Sequence, residues 1–283
     1  MTPTLTPTAR RQRLGAELRK LRERAGLTAT QAGALLGGNQ ARISNIEAGR
    51  HGVSAERVRT LTCHYDCVDA DLVEALAAMT GERRRGWWEE YREILSSGQL
   101  DLAELEHHGR RLRTAHTSGI PGLLQTLEHA REVMRQAVPA LAPSAIEHRV
   151  SFRIKRQAVL DREDAVPYQA IIHEAALRMR FGGRSVAARQ LQHLLETGQR
   201  EHVSIRVIPF DSGAFPGSGQ PLYYVHGPVP QLDTVQLDQA HGPVLLDAAA
   251  QLDKYRQVFA RLESLALDEA ESADFIRTIA QDL

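Results

Sequence analysis

The chain has 283 residues, enough for two domains, and 42% of them are hydrophobic, enough for ordinary cores. No apolar run is long enough to span a membrane, and the N-terminal MTPTLTPTARRQR lacks the apolar centre of a secretion signal. Two cysteines, Cys63 and Cys67, imply no disulfide framework, so a cytoplasmic protein with no membrane partner is expected.

The net charge of zero hides an asymmetry. Residues 1–60 hold eleven Lys+Arg against four Asp+Glu, whereas residues 201–283 hold five against twelve. A basic N-terminal end suits phosphate contact, and an acidic far end does not.

Residues 1–9 are Thr/Pro-rich and read as a disordered lead-in. A first helix follows, about Arg10 to Ala25, with Leu14, Leu18 and Leu21 on one stripe. Thr28 then opens a capping box, because Gln31 stands three residues later and the two can exchange side-chain-to-backbone hydrogen bonds. That helix runs to about Leu36. Gly37-Gly38 turns the chain, and Asn39 caps a further helix from Gln40 to about Glu47. Two short helices joined by a glycine turn are the skeleton of a helix-turn-helix.

Ile43 and Ile46 share one face, expected to pack on Ala32 and Leu36, with Gly33 at the crossing. Gln40, Ala41, Ser44 and Asn45 are left facing outward, with Arg42 beside them. Amide, hydroxyl and guanidinium groups on a short helix suit base-edge and phosphate contacts in a major groove. Thr28, Thr30, Gln31, Asn39 and Arg50 complete the candidate DNA-binding set. Ser54 caps a fourth helix to about Tyr65, and Asp69 or Asp71 opens a fifth. Cys63 and Cys67 flank His64 at a spacing a metal could use, but two small apolar side chains on a helix are the simpler reading.

These residues carry a resemblance. LRKLRERAGLT followed by ALLGGNQARISNIEAGR looks like the lambda-repressor/Cro class of helix-turn-helix, over about residues 10–78. That class often places Gln in the first turn of the first motif helix; here the matching residue is Ala29. The resemblance further implies that Arg22 and Glu47 pair across the domain, partly buried, and set the angle of the second motif helix. It also implies a homodimer on double-stranded DNA.

Thr80–Gly86 is polar and basic and reads as a hinge at 81–86, separating a DNA-binding domain (1–80) from an effector or partner-binding domain (87–283). Trp87, Trp88 and Tyr91 open the second domain. A helix from Asp101 to about His116, a structured elbow at Ser118–Thr126, a helix Leu127–Ala137 capped by Thr126 and a long basic helix Ser144–Asp161 are expected. Strands are expected at Tyr168–Ile172, Val203–Ile208, Leu222–Val225 and Asp233–Leu237, where apolar runs are short or alternate. Helices Glu174–Arg180, Val186–Thr197, Leu245–Leu265 and Ala270–Gln281 complete the chain. The fold class is mainly α with a smaller mixed α/β part: a five-helix lambda-repressor-like domain, then a mixed α/β domain with about four strands. WWEEY, SGIPGLLQT, RIKRQAVL, IIHEAALRMRFGG, QLQHLLE and SIRVIPF, in this order, resemble the actinobacterial regulators related to WhiJ, often described as antitoxin-like. In these a small partner protein is implied for the effector domain.

No enzyme is expected, and no cofactor. The loop Ser212–Gly219 lacks the Lys-Ser/Thr ending of a P-loop and does not match G-x-G-x-x-G. Glu106, Glu174 and Asp238 are carboxylates that a fold can bring into one cleft, but their spacing does not require it. The reading is a sequence-specific DNA-binding transcriptional regulator, cytoplasmic and nucleoid-associated, whose C-terminal domain receives a signal from a small partner protein. Its rivals are a sensor of a small-molecule ligand and an antitoxin that neutralises its partner.

Overall fold

The computed structural model describes residues 7–80, 86–217, 219–239 and 242–283. The lead-in up to Thr6 and the hinge up to Arg85 lie outside the described residues. The chain divides into two compact units, 1–92 with 99–105, and 93–98 with 106–283.

The first unit is built on helices α1 (Ala9–Arg24), α2 (Ala29–Leu35), α3 (Gln40–Glu47), α4 (Ala55–His64) and α5 (Ala70–Ala78). Each begins where a short polar side chain takes up an otherwise unpaired backbone N–H. Thr8, Thr28, Asn39, Ser54 and Asp69 accept from Arg11, Gln31, Arg42, Arg57 and Leu72 respectively. The apolar stripes then meet in one core: Leu14, Leu18, Leu21, Ala32, Ile43, Ile46, Val58, Leu61 and Leu76 are all buried. Leu36, expected in that core, is only half-buried, and Cys63 and Cys67 are free thiols. Trp87, Trp88 and Tyr91 form a single 3-10 turn in this unit, with edge-to-face contacts at 6.0 and 6.2 Å.

The helices and strands after them are α6 (Ser97–His108), β1 (Arg111–His116), α7 (Leu127–Arg135), α8 (Pro143–Arg156), β2 (Tyr168–His173), α9 (Glu174–Arg178), α10 (Arg184–Thr197), β3 (Val203–Ile208), β4 (Leu222–His226), β5 (Thr234–Gln239), β6 (Gly242–Leu246), α11 (Ala249–Leu265) and α12 (Glu269–Gln281). The strands form one six-stranded sheet in the order β3-β2-β1-β4-β5-β6. The first three are parallel, with helical crossovers between them, and the last three add an antiparallel meander.

All four expected strands are present, and two more join them. The expected helix to His116 is corrected: α6 stops at His108, and Arg111–His116 is the strand β1, paired on both sides. Arg111 and Arg113 make that stretch look like a solvated helix face, and only its long-range partners make it a strand. Likewise the last-but-one helix starts at Ala249, because Gly242–Leu246 pairs with β5 as an edge strand, the one place Pro243 is tolerated.

The two faces of this sheet differ. Ala115, Ile171, Ile208, Leu222, Tyr224 and Val235 form a dry face under Leu252, Phe259 and Leu262 of α11. Strand alternation turns Thr114, Tyr168, Tyr223 and Gln236 to the other face, where all four are buried nonetheless.

Candidate nucleic-acid interface

The position of α3 is set by close backbone approaches. A Cβ on Gly33 would lie 2.7 Å from the carbonyl carbon of Asn39, so α2 and α3 can cross only there. A Cβ on Gly15 would lie 2.3 Å from the Glu47 carbonyl oxygen, so α1 sits directly against the end of α3. Gly37, at φ 61°, makes the turn between the motif helices.

Arg22 and Glu47 meet across this contact. Arg22 Nε donates to Glu47 Oε1 at 2.6 Å, Nη2 donates to Oε2 at 2.9 Å, and Nη1 donates to the Leu27 carbonyl at 2.7 Å. The fork of the guanidinium therefore ties α1, the loop before α2 and the C-terminal end of α3 together. Both side chains are 9% exposed, so solvent screens the pair little. The Glu47 hydrogen bonds, set against burial, hold the Arg22 guanidinium above its ordinary range. Burial, with Glu47 nearby, pushes the Tyr65 phenol up to about 12.

Ile43 and Ile46 face inward, leaving Gln40, Ala41 and Arg42 exposed and Ser44 and Asn45 half-buried on the outer side of α3. The chain after α3 folds back, as the Asn45 carbonyl accepts from the N–H groups of Arg50 and His51 at 2.9 and 3.1 Å. Asn39, Ala41, Arg42, Asn45, Arg50 and His51 consequently line one surface depression. Gln40 and Ser44 share the helix but lie outside it, and Thr28, Thr30 and Gln31 stand exposed at the start of α2. His51 and Gly52 are lining residues that reading the sequence missed; the backbone fold-back that brings them in has no side-chain signature.

The capping groups are only partly available. Gln31 Oε1 accepts from the Thr28 N–H and from Thr28 Oγ1, both at 2.8 Å, which leaves the Gln31 amide N–H₂ to act outward. Asn39 Oδ1 accepts from Arg42 N at 3.0 Å, leaving its amide likewise. The face thus offers donors from Gln31, Asn39, Arg42 and Arg50, a set suited to phosphate oxygens and to purine edges. Of the three carboxylates singled out in the second unit, Glu174 is tied to Arg178 at 2.6 Å and to the Phe210 N–H at 2.8 Å, and Glu106 pairs with Arg156.

The first unit is thus a helix-turn-helix module, the architecture of DNA-binding regulators, and a family model described as a helix-turn-helix domain matches residues 13–76. A second model, described as a domain of unknown function (DUF5753), matches residues 99–278, most of the chain. The chain belongs to the DUF5753 family. No curated protein and no solved structure matches it. Among the described residues no helix is long and apolar enough to cross a membrane.

Proposed function

We propose that this chain is a sequence-specific, non-enzymatic DNA-binding regulator. Residues 1–80 read duplex DNA as one half of a homodimer, and residues 87–283 receive a signal. The observation that carries the reading is α3: a short helix with an amide- and guanidinium-bearing outer face, clamped at its far end by the Arg22–Glu47 pair. Gln40 and Asn45 are the base readers, and Arg42 contacts guanine or phosphate. One such helix reads only a few base pairs, so paired half-sites about one helical turn apart are expected. The resemblance to the WhiJ-related regulators supports a small partner protein as the source of the signal.

The test is selection of duplexes from a random pool by the full chain, followed by binding to the recovered site at increasing salt. An enriched, two-fold repeated motif is expected, with a log–log salt slope near −5 if about six phosphates are neutralised at ~0.9 each. Absence of enrichment, or affinity indifferent to salt, contradicts the proposal.

A further inference from the structure

The sheet face beneath α8 is built unlike a structural core. Tyr168, Tyr223 and Gln236 are 2%, 7% and 4% exposed, yet the two phenols have only each other as partners and Gln236 Oε1 has no hydrogen-bond partner among the described residues. The same holds for Nε2 of His116, at the end of β1. Buried polar groups are nearly always paired. Here phenols from β2 and β4 have only each other, and groups from β1 and β5 on the same face have no partner among the described residues.

The charge above them is unbalanced in the same place. Arg156 is matched: its Nε and Nη2 donate to the two Glu106 oxygens at 2.8 and 2.5 Å. Arg153, one turn earlier on α8, gives a single hydrogen bond, at 2.8 Å, to the neutral Gln125 Oε1. Asp238 acts on both arginines electrostatically, but it is exposed and screened by solvent. Burial, followed by the like charge of Arg156, pulls the Arg153 guanidinium down to about 10, so it stays charged at neutral pH at a cost to the fold. Burial, and then Arg153, holds His116 down at about 4, so that it stands as a neutral hydrogen-bonding group.

The elbow after β1 is shaped to this spot. Gln125 Nε2 donates to the Ile120 carbonyl at 2.6 Å, which fixes its oxygen on Arg153. Gly122 passes over both guanidiniums; a Cβ there would lie 3.7 Å from Arg153 Nε and 3.8 Å from Arg156 Nη1. The C-terminal end of a parallel strand, where the strand order reverses direction, is also where open α/β sheets hold ligands; β1 occupies that place in this sheet.

We propose that this polar face binds a small molecule bearing a carboxylate or phosphate, its acid group on Arg153 and its polar body on Tyr168, Tyr223, Gln236 and His116. This stands apart from the DNA-binding reading and survives its failure.

The test uses the full-length chain with inorganic phosphate, phenyl phosphate and benzoate as probes, and chloride at equal ionic strength as control. Calorimetry and thermal melting are the readouts. At least one probe is expected to bind saturably at one site per chain and, at about 100-fold above its Kd, to raise Tm by about 5 °C or more. Arg153→Met should abolish that binding while melting, without probe, at or above the parent. Tyr223→Phe should weaken the binding about tenfold, and it carries the test alone if Arg153→Met fails to fold. Preference among the probes distinguishes phosphate from carboxylate ligands. Failure of all three probes at millimolar concentration overturns the proposal. So does binding that both substitutions leave unchanged, the mark of an adventitious ion only, held for instance on the DNA-facing helix.

Discussion

Arg22 and Arg156 are each buried, and each grips one glutamate through two hydrogen bonds, yet their surroundings differ. Around Arg22 the third donor is used on the Leu27 carbonyl, and the outward-facing polar groups of that unit stand on the surface of α2 and α3. Around Arg156 stand a half-buried arginine, a half-buried histidine and two buried tyrosines, and several polar atoms there are unmatched. The first pair closes a clamp that holds a helix at an angle. The second anchors one side of a polar interior. A fold under selection for stability alone has little reason to keep the second arrangement, because buried, well-packed apolar groups do as well or better.

The largest expected effects come from breaking the two pairs. Glu106→Ala strands Arg156 in the interior of the second unit and should cost about 3–5 kcal/mol. Glu47→Ala breaks a pair whose glutamate is less deeply buried, 9% exposed against 2% for Glu106, and should cost about 3 kcal/mol, with Arg22→Lys also poorly tolerated because an ammonium lacks the fork. Urea unfolding of the full chain measures both. A Glu47→Ala protein as stable as the parent removes the clamp from the account.

A titration sharpens the comparison next. In the folded chain His116 and His129 are both held from 6.5 down to about 4, first by burial and then by Arg153. A depressed histidine stays neutral in the folded state while the unfolded chain takes up the proton. The associated stability is therefore fully present above about 6.5 and lost as pH falls towards 4, by at most about 3 kcal/mol per residue. The loss belongs to the second unit. Stability measured from pH 7 to pH 4.5 should fall less steeply in His129→Asn than in the parent, and identical slopes contradict the assignment.

How much of this was legible in the sequence follows the same division. The caps Thr28, Asn39, Ser54 and Asp69, the turn at Gly37 and the stripes on α1 and α3 act over three or four residues, so the first unit could be read directly. β1 could not, because Arg111 and Arg113 resemble a solvated helix until β2 and β4 pair with them; Gly109 was the one local sign of a break. The polar face joins His116, Arg153, Tyr168, Tyr223 and Gln236, drawn from four strands and a helix over more than a hundred positions. In the sequence Arg153 and Arg156 are only part of a basic helix.

Smaller effects test the surface of the first unit. Replacing a proposed base reader, Gln40 or Asn45, should cost about 1–3 kcal/mol on the preferred site. Asn39→Ala removes the cap on Arg42 N and should cost about 1 kcal/mol of stability, with affinity falling on all sequences alike.

The most direct measurement is the affinity of the full chain and of Asn45→Ala for the selected duplex and for every single-base variant of it, at one fixed salt concentration. The account predicts that the substitution flattens preference at one position of each half-site and leaves the other positions ranked as before. Equal weakening on every duplex, or an unchanged ranking throughout, contradicts the claim that α3 reads bases.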